Sequence, residues 1–260
     1  MKHKARKRFG QNFLHDPAII QRIVRVVNPQ PGQRLVEIGP GKGAITLPLL
    51  AVCKHLEVIE LDRDLVRPLA EKAMPFGELV IHQQDALRFD FAALADGERV
   101  RTVGNLPYNI STPLLFHLIT QSGSIQDMHF MLQKEVVDRM AAVPGSRDYG
   151  RLSVMIQYHC KVEPLFGVGP GAFQPAPRVD SAFVRLTPWS QPPVVVKDAE
   201  CLATLVRQAF SQRRKTLRNT LKGLLSEQAI RATGTDPSVR PESISLEQYA
   251  ALANQLADKT

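Results

Sequence analysis

Strand and helix signals alternate along the chain from residue 16 to residue 188, and that alternation implies a parallel sheet flanked by helices. Asp16 followed by Pro17 predicts a helix start, and Ile19, Ile20, Ile23, Val24 and Val27 keep helical spacing behind it. Residues 34–38 read as a strand, followed by Gly39-Pro40-Gly41-Lys42-Gly43 and a helix through Leu50. Residues 56–61 form the next strand signal, with Asp62 placed to cap the helix after it. Further strands are expected at 79–82, 99–104, 128–132 and 182–186. The run Val154-Met155-Ile156-Gln157-Tyr158 fits a helix or a strand equally. The expected class is therefore α/β, with a mostly parallel, doubly wound sheet.

The pattern changes at Thr187-Pro188-Trp189-Ser190-Gln191-Pro192-Pro193, whose prolines mark a linker. Beyond it the one strand-like run is Val194-Val195-Val196. Leu202, Leu205, Val206, Ala209 and Phe210 form a helical stripe that resumes at Leu217, Leu221, Leu224 and Leu225. Arg213 and Arg214 fall where the stripe should continue, so they either snorkel or mark a kink presented to a partner. Three segments are expected: a basic arm over 1–10, an α/β domain over 11–188 and a small all-α domain over 189–260.

Net charge is +8, and it is unevenly spread. Arg6, Lys7 and Arg8 crowd the N-terminus with Lys2 and Lys4. Arg207, Arg213, Arg214, Lys215, Arg218 and Lys222 form a second block that contains no carboxylate. Two separate basic clusters suit a polyanion, or else simply a solvated basic face. No apolar run approaches the roughly 18–20 residues of a membrane span, so no membrane partner is expected. No apolar signal segment follows the basic start, which favours the cytoplasm. Cys53, Cys160 and Cys201 are widely spaced, and neither they nor the seven histidines show a metal-ligand spacing, so no metal site is expected.

Candidate chemistry collects where strands end. Gly39 and Gly41 belong to a turn that lets backbone approach a ligand, although it matches neither the dinucleotide fingerprint nor a P-loop. Glu60 closes the second strand, where an acid accepts from ribose hydroxyls. Asp85 follows the third, placed to accept from an adenine amine. Singly, each acid reads equally well as a helix cap. The fourth strand runs into Asn105-Leu106-Pro107-Tyr108, ahead of a helix start expected from Ser111-Thr112-Pro113. The Asn105 amide and the Leu106 carbonyl can accept both hydrogens of an exocyclic amine, Pro107 makes the turn rigid, and Tyr108 offers a ring to stack on the base. That set suits methyl transfer to a nucleobase nitrogen.

The ordered glycine turn and two acids resemble the cofactor site of S-adenosyl-L-methionine-dependent methyltransferases of Rossmann-like fold. Gln11-Asn12-Phe13-Leu14, the 105–108 motif and Phe173-Gln174-Pro175-Ala176-Pro177-Arg178-Val179-Asp180-Ser181 narrow the resemblance to the ribosomal RNA adenine dimethyltransferases. Gln212-Arg213-Arg214-Lys215-Thr216-Leu217-Arg218-Asn219 is similar to the small-subunit branch of that family rather than to the resistance enzymes that modify large-subunit RNA. Lys42 and Gln84 depart from it: an apolar residue and a glycine are commoner there.

The resemblance implies dimethylation at N6 of two adjacent adenosines near the 3′ end of 16S rRNA, in the immature 30S subunit, by a monomer. It implies that Gln11, Asn12 and Leu14 close over the cofactor, and that Phe173 covers the face of the target base opposite Tyr108. Without it, Gln11 and Asn12 read as helix caps and Phe173 as core. A non-catalytic RNA-binding assembly factor of the same fold is the alternative of another class.

Overall fold

A computed structural model describes residues 11–212 and 214–259, which divide into two compact units. The first unit takes the chain to Val137 and again Glu163–Pro188. It opens with β1 (Phe13–Leu14) and α1 (Pro17–Val27). Then β2 (Leu35–Ile38), α2 (Thr46–Cys53), β3 (His55–Ile59), α3 (Arg63–Ala73) and β4 (Glu78–His82) alternate. They are followed by α4 (Phe91–Ala95), β5 (Val100–Asn105), α5 (Ser111–Thr120), β6 (Ile125–Gln133) and α6 (Lys134–Ala141), the last running into the second unit. After α7 (Arg151–His159) come β7 (Cys160–Val168), β8 (Phe173–Gln174) and β9 (Ser181–Pro188).

Seven strands make the main sheet in the order β4-β3-β2-β5-β6-β9-β7. β4 through β6 are parallel, and β9 runs antiparallel to β6. The order reverses between β2 and β5, and a sheet of this kind opens a ligand crevice at the carboxyl ends of those two strands. β2 is buried at every position, as a strand covered on both faces must be. β7 carries Pro164 yet pairs, because it lies at the sheet edge, where a missing N–H costs no ladder bond. That proline masks the strand signal of β7 in the sequence.

Two features hold the middle of the sheet together. Gly104 stands where a Cβ would lie 2.4 Å from the Ile38 carbonyl oxygen, so only glycine allows the approach. Arg101, nearly buried, grips Asp127 through Nε at 2.9 Å and Nη2 at 2.9 Å, in register across β5 and β6. It also donates to the Val27 carbonyl at 2.8 Å and to Gln33 Oε1 at 2.8 Å, tying the end of α1 to the sheet. The caps expected at Asp16 and Asp62 are present: Asp16 accepts from Ala18 and Ile19, Asp62 from Asp64. Ser111 lies inside α5 instead of capping it, and its hydroxyl donates to the Tyr108 carbonyl at 3.1 Å.

The second unit comprises Asp138–Val162 and Trp189–Thr260. The α/β domain expected over 11–188 is thus interrupted, since 138–162 joins the helices that follow the linker. The ambiguous run 154–158 is helical, within α7. With it are α8 (Ala199–Ala209), α9 (Leu217–Thr220), α10 (Glu227–Ala232) and α11 (Leu246–Ala257). Tyr149, Phe210 and Tyr249 form a ring cluster among them. Residues 194–196 form no strand, and Val195 is exposed. The apolar stripe breaks after Ala209 and resumes at Leu217; Arg214 and Lys215 lie exposed in the turns between.

Candidate active site

A cavity of about 300 Å³ opens at the strand ends of the first unit. Segments 37–42, 59–61, 84–87 and 105–110 line it, and residues 11–14 contribute a further wall. Gln11, Asn12, Leu14, Gly39, Gly41, Glu60, Asp85, Asn105, Leu106, Pro107 and Tyr108 therefore meet in one place.

The glycine turn is bonded to the acid of the next strand. Gly41 has φ +58°, and its N–H donates to Glu60 Oε2 at 3.2 Å. The other oxygen, Oε1, accepts from the Asp62 N–H at 2.8 Å. Burial pushes the Glu60 carboxyl up, and these two N–H groups oppose that shift. Both oxygens keep lone pairs for ligand hydroxyls. Asp85 serves both of its expected readings: Oδ1 accepts from the Leu87 N–H at 3.0 Å while the residue lines the cavity.

The 11–14 segment is tied down along its length. Gln11 Nε2 donates to Asp62 Oδ2 at 3.1 Å. The Phe13 ring lies 3.2 Å from where a Cβ on Gly41 would be, with Lys42 Nζ 4.3 Å from its centroid. Lys42, the departure from the family pattern, thus makes a cation–π contact at the loop. Leu14 is buried and pairs with Phe173 across β1 and β8.

Asn105 is the last residue of β5, and its Nδ2 donates to the Asn12 carbonyl at 2.9 Å. That donation orients the amide and leaves Oδ1 as its acceptor. The Leu106 N–H donates to the Met131 carbonyl at 3.1 Å, which anchors the turn to β6. The Tyr108 hydroxyl lies 2.6 Å from Ser181 Oγ, so the ring is held at both ends. Burial raises the phenol's pKa, keeping it neutral.

Phe173 is not brought to this cavity. It is 3% exposed and packs in the core, because pairing with β1 turns its ring inward. Two contributors carry no role in the sequence motifs. Ser181, the last residue of the 173–181 motif, is one. Glu37 is the other: it is fully buried within β2, lines the cavity, and has one oxygen, Oε2, with no hydrogen-bond partner among the described residues. Burial, helped by the Glu60 carboxylate, pushes its pKa up to about 8. A charged residue inside an otherwise apolar strand is the sequence signal for it.

The profile of the ribosomal RNA adenine dimethylase family matches residues 2–258. The chain belongs to that family. The chain is thus an rRNA adenine dimethylase by kinship, and relatives match it end to end. Ribosomal RNA small subunit methyltransferase A of Pseudomonas aeruginosa is 60% identical over 257 residues, 98% of this chain and 96% of the relative. The protein of the same name from Marinobacter nauticus is 57% identical over 256 residues, 98% and 93% of the two chains. A dimethyladenosine transferase from Plasmodium falciparum shares the fold at TM-score 0.76 and 24% identity, covering 92% of this chain and 95% of its own. The 23S rRNA methyltransferase ErmE does so at TM-score 0.72 and 24% identity, covering 95% and 100%. The fold is therefore a Rossmann-like methyltransferase sheet, here accompanied by a second, helical unit.

The basic residues fall differently. Arg214, Lys215 and Arg218 are exposed in the second unit. Arg6, Lys7, Arg8 and Arg213 lie outside the described residues. Among the described residues no helix is long and apolar enough to cross a membrane, and no cluster of three or more His, Cys, Asp or Glu residues is arranged to hold a metal ion.

Proposed function

We propose that this chain uses S-adenosyl-L-methionine to dimethylate N6 of two adjacent adenosines near the 3′ end of 16S rRNA, in the immature 30S subunit. The observation that carries this reading is the Asn105 amide, whose nitrogen is committed to the Asn12 carbonyl at 2.9 Å. An amide so held presents oxygen, the atom that accepts from an amine.

The cavity suits a cationic cofactor. The carboxylates of Glu60 and Asp85 line it. Glu60 would accept from ribose hydroxyls and Asp85 from the adenine amine, while Gly39, Gly41 and residues 11–14 enclose the ligand. When bound, S-adenosyl-L-methionine supplies an electrophilic methyl group on a sulfonium.

Asn105 Oδ1 and the Leu106 carbonyl would accept the two N6 hydrogens of the target. Those bonds favour a pyramidal nitrogen, whose lone pair is otherwise spread into the ring. Pro107 keeps the turn rigid, and Tyr108 stacks on the base, which must be unpaired or flipped to reach it. Catalysis is then positioning and electrostatic stabilisation, with the amine proton leaving after transfer. Phe173 acts through Leu14, holding the 11–14 segment, rather than on the base. Arg214, Lys215 and Arg218, with Arg213 and the Arg6–Lys7–Arg8 arm, contact RNA phosphates. The protein works as a cytoplasmic monomer.

Purified protein, radiolabelled cofactor and ribosomal subunits from cells lacking this modification test the reading. Label is expected in small-subunit RNA, mapping to two neighbouring adenosines. Label on large-subunit RNA, or on none, overturns it.

A further inference from the structure

A second cavity, about 350 Å³, lies wholly within the second unit, and the chemistry above leaves it without a role. Tyr149, Gln157, Trp189, Ser245 and Glu247 are among its lining residues.

Trp189 is the chain's single tryptophan. It is 40% exposed, yet it is held in place. Its indole Nε1–H donates to the Gln157 carbonyl at 3.0 Å, and its backbone N–H donates to the His159 carbonyl at 3.0 Å. An indole pinned by its edge and open on its surface is a stacking platform. Tyr149 is 3% exposed, and its hydroxyl makes no hydrogen bond among the described residues. The hydroxyl is not among the buried atoms that lack a partner, so it opens onto the cavity that Tyr149 lines and is free to donate to a ligand atom there.

Glu247 lines the same cavity. Burial raises the Tyr149 phenol's pKa, and the Glu247 carboxylate adds to the rise. The Ser245 hydroxyl holds the Glu247 carboxyl below the usual range, so it is an anion at neutral pH. The cavity therefore offers a flat ring, an anionic acceptor and a phenol donor.

Among the four bases only guanine presents the matching edge. Its N1–H and N2–H₂ donate side by side to a carboxylate, and its neighbouring O6 accepts a hydroxyl. Adenine and cytosine offer a single amine on that edge, and uracil flanks its one N–H with carbonyls that a carboxylate repels. Unpaired RNA bases are read in this way, by stacking and by their Watson–Crick edges.

We propose that this cavity binds an unpaired guanine of the RNA substrate, stacked on Trp189, with its N1–H and N2–H₂ on Glu247 and its O6 on the Tyr149 hydroxyl. The RNA origin of the guanine rests on the function proposed above. The base would hold substrate RNA on the second unit at a point remote in sequence from the methylation motif, adding base selectivity to the phosphate contacts of the basic block.

The single tryptophan reports on the site directly. Trp189 emission is followed in the full chain as 5′-GMP, AMP, CMP or UMP is added. GMP is expected to change the emission saturably, at concentrations at least about tenfold lower than the other three. Glu247→Gln and Tyr149→Phe, both near-isosteric, are each expected to weaken GMP about tenfold, with the far-ultraviolet circular dichroism of the folded chain unchanged. Equal responses to all four nucleotides, no response to millimolar GMP, or an unaltered GMP response in Glu247→Gln overturns the proposal. A chain that methylates small subunits yet shows no GMP response loses the guanine site alone. A chain that binds GMP as described but methylates no subunit keeps the site and loses the enzymatic reading.

Discussion

The side-chain amide of Asn105 donates to the backbone carbonyl of Asn12 at 2.9 Å, joining residues 93 positions apart. One bond thereby couples the end of β5 to the segment that walls the cofactor cavity. The orientation of the proposed amine acceptor and the position of that wall depend on each other.

Asn105→Asp breaks this coupling with minimal change of shape. The new carboxylate cannot donate to the Asn12 carbonyl, and it adds an anion beside Glu37 and Glu60. Methyl transfer is expected to fall by about 10²-fold or more, as when one preorganised polar group is lost from an active site. Single-turnover transfer to unmodified small subunits measures the chemical step. Cofactor affinity measured on the same variant should also weaken, because the 11–14 segment is released.

Glu37 predicts a pH dependence of stability in the ligand-free protein. Burial raises its folded-state pKa to about 8 from an ordinary value of 4.5. Below the ordinary value both states hold the proton, and the contribution is intact. Between the two values the unfolded chain releases a proton that the folded chain retains, so stability falls as pH rises, and the loss is complete above the folded pKa. The loss amounts to roughly 3 kcal/mol between about pH 5 and pH 8. Urea midpoints of wild type and Glu37→Gln, compared across that range, should diverge in slope, with the variant flatter.

Arg101 and Asp127 predict a structural loss of another kind. Their side chains are only 9% and 15% exposed, and Arg101 also holds the Val27 carbonyl. Arg101→Ala leaves Asp127 largely buried with His129 Nδ1, at 3.6 Å, as its remaining partner, and is expected to cost about 3 kcal/mol. Chemical denaturation of the single variant and of Arg101→Met with Asp127→Leu separates the two terms. The double variant should recover much of the loss.

The exposed basic residues predict a salt signature. Replacing Arg214, Lys215 and Arg218 with glutamine should weaken RNA binding and flatten its logarithmic salt dependence by about 2–3. Cofactor binding, which uses the other unit, should be unchanged. Filter binding at several salt concentrations, beside calorimetry with the cofactor, makes the comparison.

Most of the architecture is legible in the amino-acid sequence, because it is written in local terms. Helical spacing and an Asp-Pro start mark α1, and Asp62 marks α3. The acids and glycines at successive strand ends mark the cavity, since the doubly wound sheet places every such end on one edge. Where local signals conflict, the sequence is silent. Pro164 conceals an edge strand, and the run at 154–158 has no preferred period.

Phe173 shows the limit most clearly. The resemblance sets it on the target base, yet its two-residue pairing with Phe13 and Leu14 holds it in the core, as its apolar side chain alone suggests. That pairing joins positions about 160 residues apart, and nothing in the neighbouring sequence encodes it. The same holds for the reach of 138–162 into the helical unit and for the proton that Glu37 keeps. The sequence alone determined which elements form and which residue types stand at their ends, through propensity, periodicity and capping. The tertiary structure decided which way side chains face, which amide atom is left to accept, and which carboxyl is cut off from water, because those depend on partners brought together only by folding.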